Sequence, residues 1–477
     1  MAVRKASHPP RVLLVDPYLA RDDPMERKFV ELYPSLSVLT LAAYLRTQSV
    51  DVAVVDLTFA RDARPVAKAI GEFRPDVVGV HTKTLTIGRS LAIARTARRA
   101  GVFSVAGGPD AATRPENYLT DAFDAAALGE GEETLTELAV RVANGADVRE
   151  IPGLATRPEG RMVRGPARRF LRDLDALPLP AWDLVDMERY LSAWERSTGD
   201  RRMAVLTSRG CPYDCAWCSK PTFGRSFRQQ SVGRVVEELR ALRDRYRVDY
   251  VRFCDDVFGI QRSWLEELLD RMDGERLRVR FECLARVDLL KPDLLKRMRS
   301  AGLERVYVGV ESGSQRMLDT MNRGTKLSQV ERAAAALRHE GIRQYWFLML
   351  GYPGETMEDI EATLRLFRRF SPEEYSVSIA VPVPGTRFYE AVKDRLKRTV
   401  RSAKATSGGR ALLYEAVYPE SLYRWSQARF ELEAGLSKAR GKIAPPVLQG
   451  ISDAADALHQ RVVAPILLGR KADPPTA

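Results

Sequence analysis

The sequence predicts an α/β protein: a doubly wound parallel sheet at the N-terminus, then a partial, TIM-like (β/α)6 barrel, then a small helical C-terminal region. Two observations carry this reading. Short apolar runs alternate with helix-period segments across residues 10–147, and the alternation returns across 201–395. Between them, residues 148–200 are rich in Pro and Gly with little periodicity, as in "IPGLATRPEGRMVRGPARRF" and "LDALPLPAWDL". Strands alternating with helices of this length make parallel sheets, whose ligands sit at the carboxyl ends of the strands.

The elements follow in order. "RVLLVDP" is a short apolar run ended by Asp and Pro, and "LSVLTLAAYLRTQ" has helical spacing. "VDVAVVDLT" reads as a strand, "ARPVAKAIGEF" as a helix, "PDVVGVHT" as a buried strand and "GRSLAIARTARRAG" as a helix closed by Gly101. "VFSVAGGPD" is a strand running into a Gly turn, and "AAALGEGEETLTELAVRVANG" a short strand, a polar loop and a helix. Residues 148–200 read as a partly ordered linker. Six further strands are expected at "MAVLTS", "DYVRFCDD", "VRFECLAR", "RVYVGVES", "YWFLMLG" and "YSVSIAVP", with helices such as "SVGRVVEELRALRDRY" between them. Within 396–477, "PESLYRWSQARFELEAGLSKARGK" is an amphipathic helix, "APILLG" is short and apolar, and the tail "RKADPPTA" is expected to be disordered.

A chain of 477 residues is long enough for two or three such domains. No apolar run reaches the ~18 residues of a membrane span. The N-terminus starts basic, but "VLLV" is too short for a secretory core. A cytoplasmic protein with reduced thiols is therefore expected. The net charge is +12. The excess arginines are interleaved with apolar residues, as in "ARTARRA" and "LRLFRRF", which suits solvated helix faces. With no long basic block and no recognition motif, a nucleic-acid partner is not expected. An iron–sulfur sensor that binds nucleic acid through this charge is the reading from a different class.

Chemistry concentrates in "SRGCPYDCAWCSKPTFGRSFR", residues 208–228, which hold Cys211, Cys215 and Cys218. In a reducing compartment such a cluster is a metal or redox site and not a disulfide frame. Thiolates are soft ligands that suit zinc or iron–sulfur clusters. Zinc wants four ligands. None of the four histidines (His8, His81, His339 and His459) lies near this loop in sequence, so Cys254 or Cys283 would have to reach over. A 4Fe–4S cluster on three cysteines instead leaves one iron open to a small molecule.

The loop resembles the Cys-x3-Cys-x-aromatic-Cys signature of the radical S-adenosylmethionine (SAM) enzymes, with Trp217 in the aromatic slot. That resemblance implies a 4Fe–4S cluster on the three cysteines. Its open iron would bind the amino and carboxylate groups of SAM, and one electron would cleave SAM to a 5'-deoxyadenosyl radical. It further implies SAM contacts at strand ends: Asp255 and Asp256 for the amino group, Arg286 as a carboxylate clamp, Glu311 and Ser312 near the ribose, and Gly351 and Gly354 where backbone approaches adenine. An external electron donor of flavodoxin or ferredoxin type is implied as well.

Residues 10–147 resemble the Rossmann-like cobalamin-binding domain found upstream of many radical SAM enzymes, through "YPSLSVLTLAAYLRT", "PDVVGVHT", "VAGGPDAATRPENYL" and "ALGEGEETL". The implied cobalamin contacts are Tyr18, Ser35, His81, Thr82, Gly107, Gly108, Gly129, Glu130 and Gly131. The family's Asp-x-His-x-x-Gly reads here as "DPYLAR": Asp16 is kept, Tyr18 stands where His would be and Arg21 replaces Gly. Cobalamin is therefore expected base-off and without a lower histidine. Together the two resemblances imply methylation of an unactivated carbon of a small molecule, by way of the adenosyl radical and methylcobalamin. The alternative is an oxidative cyclase like the anaerobic magnesium-protoporphyrin monomethyl ester cyclase.

Overall fold

The computed structural model describes residues 8–23, 32–220, 222–397 and 412–469. The basic start at 1–7 and the tail "RKADPPTA" lie outside them. The chain divides into two compact units, Met1–Pro212 with Ser219–Cys283, and Tyr213–Cys218 with Leu284–Ala477.

The first unit begins β1 (Arg11–Asp16), α1 (Leu36–Thr47), β2 (Asp51–Asp56), α2 (Arg64–Phe73), β3 (Val77–His81), α3 (Ile87–Arg99), β4 (Phe103–Gly107), α4 (Pro109–Thr113), β5 (Ala125–Ala127) and α5 (Glu132–Ala143). These strands are parallel in the order β2-β1-β3-β4-β5. Side chains alternate across a strand, so both faces of β1 must be covered. Leu13 and Val15 pack with Ile70 of α2 and Ile93 of α3 on one side. Val12 and Leu14 pack with Ala42 of α1 and Leu138 of α5 on the other. The strand order reverses between β1 and β3, which opens a crevice at their carboxyl ends.

Residues 148–200 hold more structure than their composition suggests. β6 (Leu154–Thr156) extends the sheet antiparallel to β5, and β7 (Val163–Arg164) pairs antiparallel with β6 at the edge. α6 (Met187–Thr198) follows. Its start and stop signals are local: Asp186 caps the start by accepting a bond from the Arg189 amide at 3.2 Å, and Gly199 ends it at φ +80°. Met187, Tyr190, Leu191 and Trp194 form its buried face.

The first unit continues with β8 (Arg202–Val205), β9 (Ser208–Arg209), β10 (Arg228–Gln229), α7 (Val232–Tyr246), β11 (Tyr250–Phe253), α8 (Arg262–Gly274) and β12 (Arg280–Ala285), the last residues of which pass into the second unit. The second unit adds α9 (Pro292–Ser300), β13 (Leu303–Glu311), α10 (Gln315–Thr320), α11 (Leu327–His339), β14 (Arg343–Leu350), α12 (Met357–Phe370), β15 (Glu374–Ile379) and α13 (Arg387–Val392). All six strands expected from the sequence form: β8, β11 and β12 run parallel side by side, and β13, β14 and β15 of the second unit do the same. α14 (Glu420–Lys438), the expected amphipathic helix, buries Leu422, Tyr423 and Phe430. α15 (Pro445–Leu458) and α16 (Ala464–Gly469) complete the helical C-terminal region.

β9 and β10 pair antiparallel, so residues 210–227 form the loop of a two-stranded ribbon. Gly210 opens that loop at φ +82°, and a Cβ there would lie 2.0 Å from the Ser226 carbonyl oxygen. We expect Gly210→Ala to cost about 3 kcal/mol through strain and this clash. A lowered thermal unfolding temperature and poorer iron retention after reconstitution check it.

Candidate active site

The β9–β10 register places Arg209 directly opposite Arg228. Like charges in that position repel. Glu130, from the loop before α5, resolves the conflict: its Oε1 accepts from Arg209 Nη1 at 3.0 Å and from Arg228 Nη1 at 2.8 Å. Its Oε2 accepts from the Leu171 amide at 2.8 Å. Glu132 takes the other arm of Arg209 at 2.6 Å. All four side chains are buried, so two positive and two negative charges neutralise each other out of water. The Glu130 carboxylate is thus committed to this network.

The three cysteines follow directly. In the first unit, the Cys211 carbonyl accepts a bond from Lys220 Nζ at 2.7 Å. In the second, segment 213–218 is docked by its backbone: the Ala216 amide donates to the Met321 carbonyl at 2.9 Å, and the Phe388 amide donates to Ala216 at 3.0 Å. Asn322 Nδ2 donates to the Asp214 carbonyl at 2.6 Å. Cys215 is buried and Cys218 exposed. A cubane cluster takes one thiolate per iron, so its cysteines need not converge on one point. Among the described residues no three His, Cys, Asp or Glu side chains do.

The first unit also holds a cavity of about 520 Å³ at the carboxyl ends of β1, β3 and β4. It is mostly apolar, reaching Leu14, Gly79 and Leu138 between sheet and helices, and Lys220, Phe223 and Asp256 also line it. Of the nine expected cobalamin contacts, His81, Gly107, Gly108, Gly129, Glu130 and Gly131 line it. Gly108 sits at φ +106°, where a Cβ would lie 2.6 Å from His81 Cδ2, so only glycine lets the backbone pass. His81 Nδ1 lies 3.1 Å from Ser35 Oγ and 3.9 Å from Asp16 Oδ2. Burial pushes the Asp16 carboxyl up, but the His81 bond and the Lys83 charge outweigh it and hold it at about 2. Tyr18 donates its hydroxyl to Asp23 at 3.0 Å, with Lys83 over its ring. Thr82 is fully buried and spends its hydroxyl on the Gly107 carbonyl.

The strand-end residues separate into two groups. In the first unit, Asp255 is a buried brace: its Oδ1 accepts from the Thr207 amide, the Thr207 hydroxyl and the Ser208 hydroxyl. Burial raises it to about 6. Asp256 beside it faces the cavity, and burial raises its carboxyl too. In the second unit, Arg286 is fully buried, donates to Asp288 at 2.9 Å and lies 3.7 Å over the Tyr213 ring, with Nη1 left without a partner. A register shift between Gly309 and Glu311 re-aims the end of β13, and Glu311 adopts φ +64°. Ser312 turns inward onto Thr363 Oγ1 at 3.1 Å. The Gly351 amide donates to Glu355 at 2.6 Å and its carbonyl accepts from Tyr414, while Gly354 adopts φ +81°.

Sequence reading missed Glu132, Arg228 and Arg323 as parts of this site. Arg209 was legible only as the residue opening the loop. The ion pairs join residues 77 and more positions apart, and no local spacing announces them.

The family model of the radical SAM superfamily matches residues 205–367, and that of the B12 binding domain matches residues 26–139. An uncharacterized methyltransferase of Pyrococcus horikoshii is 31% identical over 385 residues, which is 78% of this chain and 82% of that protein. The anaerobic magnesium-protoporphyrin IX monomethyl ester cyclase of Rubrivivax gelatinosus is 29% identical over 379 residues, 76% of this chain and 67% of the cyclase. The solved structure of the radical SAM methyltransferase TsrM from Kitasatospora setae, with cobalamin and a 4Fe–4S cluster bound, superposes with a TM-score of 0.69 at 21% identity. The match covers 81% of this chain and 75% of that one. At that identity the likeness is one of fold.

Glu130→Ala leaves two buried guanidinium groups facing each other, and we expect it to cost about 3–5 kcal/mol. Thermal unfolding of the purified protein measures this. A second expectation concerns pH. The fold favours protonated Asp255, so its contribution to stability falls as pH rises from about 4 through about 6. Asp255→Asn keeps the acceptor and removes the charge. It should flatten stability over that window, a gain on the order of 3 kcal/mol above it, read as the pH dependence of unfolding.

Proposed function

Because the chain belongs to the radical SAM superfamily and carries a B12-binding domain ahead of its radical SAM domain, we propose that it methylates an unactivated carbon of a small molecule. The observation that carries this is that one chain holds both a Cys-x3-Cys-x-Trp-Cys loop and, in its first unit, a mostly apolar cavity at the carboxyl ends of β1 and β3. When bound, the reduced cluster with SAM supplies a carbon-centred radical, and cobalamin supplies a transferable methyl group.

The residues present fit both groups. Cys211, Cys215 and Cys218 offer three soft thiolates for three irons, which leaves the fourth for the amino and carboxylate groups of SAM. The unpartnered Nη1 of Arg286 is a ready donor to a carboxylate, and Asp256 suits an ammonium. Gly354, where a Cβ would meet nothing within 4 Å, leaves room for adenine and Glu311 suits the ribose hydroxyls, while Gly351 is committed to Glu355 and Tyr414 and Ser312 to Thr363. For cobalamin, Gly108 clears the approach beside His81, and the apolar slot past Gly79 accepts an extended tail, which suits the base-off form. Tyr18 occupies the place of the usual lower histidine, and its hydroxyl is held by Asp23. We assign residues 10–147 to cobalamin, 201–395 to SAM chemistry, 148–200 to the connection between them, and 396–477 to shaping the substrate site.

No helix among the described residues is long and apolar enough to cross a membrane. A cluster held by thiolates fits the reducing cytoplasm, where a flavodoxin or ferredoxin would supply the electron. The likeness to a cyclase favours a second reading, oxidative ring formation.

The test is protein purified without oxygen, reconstituted with iron, sulfide and hydroxocobalamin, and given SAM and dithionite. Bound cobalamin with both 5'-deoxyadenosine and S-adenosylhomocysteine supports methylation. Retained cobalamin with 5'-deoxyadenosine alone, across candidate substrates, favours the cyclase reading. Cys215→Ala should lower 5'-deoxyadenosine formation by about 100-fold or more, because a ligand of the cluster acts as part of a unit.

A further inference from the structure

One basic side chain of the second unit has no part in the assignments above. Arg323, in the turn after α10, is buried, and its Nη1 donates to Cys215 Sγ at 3.3 Å. Its Nη2 donates to the Gly309 carbonyl at 3.0 Å. Its own carbonyl accepts from Arg286 Nη2 at 3.1 Å, which fixes the backbone that carries it. The Trp217 ring lies 5.8 Å from the guanidinium. Gly309 makes the approach possible: a Cβ there would lie 2.5 Å from Arg323 Nη2. Three separate segments thus converge to hold one cation against one thiol.

We propose that Arg323 is a positioning residue that sets the reduction potential of the cluster through its bond to the Cys215 sulfur. This rests on the reading of Cys215 as a cluster ligand. One-electron reduction of a cluster adds negative charge, part of which resides on the ligand sulfurs. A buried cation bonded to one of them stabilises the reduced form more than the oxidised form, and burial keeps that difference from being screened. Hydrogen bonds to sulfur and net charge are the levers by which proteins set such potentials. A fork geometry makes arginine better suited than lysine, since one nitrogen serves the sulfur while another is tied to backbone.

The experiment is an EPR-monitored redox titration of the anaerobically reconstituted full chain, for the wild type, Arg323→Lys and Arg323→Gln, with dithionite supplying the electron. Iron and sulfide are counted for each. A wild type that holds no cluster defeats the underlying reading and is recognised before any variant is compared. With clusters present, Arg323→Gln should lower the reduced-to-oxidised ratio at a fixed potential by about tenfold, a midpoint more negative by about 59 mV. Arg323→Lys, which keeps the charge, should shift by less. An unchanged midpoint in Arg323→Gln overturns the proposal. If that variant does not retain iron, Arg323→Lys decides: a midpoint more negative than the wild type supports the proposal and an identical one overturns it. Loss of the cluster in both variants also overturns it, because a residue that only sets potential is not needed for assembly.

Discussion

Two arginines face each other across a ribbon only two residues long on each side, and a single carboxylate stands between them. The ribbon closes the loop that carries the cysteines, so the loop's stem exists only while Glu130 and Glu132 neutralise it. The glutamates belong to "GEGEE", where the loop after β5 runs into the first turn of α5. The first sheet therefore holds the stem of the cysteine loop in place within the same compact unit. Each ion is buried, and removing one partner would strand the others in a medium that cannot solvate them.

Elsewhere the site is built from close backbone approaches. Gly108 passes beside His81, Gly210 turns the cysteine loop past the Ser226 carbonyl, and Gly309 admits the Arg323 guanidinium. At each, a Cβ would meet atoms at 2.0–2.6 Å. Glycine at these three positions admits an imidazole, a carbonyl and a guanidinium where a side chain would collide. Two buried donors without a partner, Arg286 Nη1 and Arg323 Nε, belong to side chains that touch the cysteine segment of the second unit. Buried donors left open carry a cost that a bound anion would offset.

Much of the architecture was legible because it is periodic. β1 to β5 and the six later strands are short apolar runs, and the helices between them have one apolar face. α6 was not legible, because Pro and Gly crowd the residues before it. Yet its Asp186 cap, its Met187–Tyr190–Leu191–Trp194 face and its Gly199 stop are all written in the chain. β6 and β7 are too short for any period to register, and only the pairing of β6 to β5 and of β7 to β6 makes them strands.

The site divides along the same line. Cys211, Cys215 and Cys218 are neighbours in the chain, so their chemistry is a local property that the sequence alone determined, together with the fold class and the glycine turns. Which side chains serve the cofactors and which serve the fold was decided by tertiary structure. Asp255 and Asp256 are adjacent and alike in sequence, but one braces Thr207 and Ser208 and the other faces the cavity. Arg323 reaches Cys215 across 108 positions, and Arg209 reaches Glu130 across 79. Bonds of that span depend on where sheets and turns place side chains after the chain has folded, and no spacing along the sequence encodes that placement.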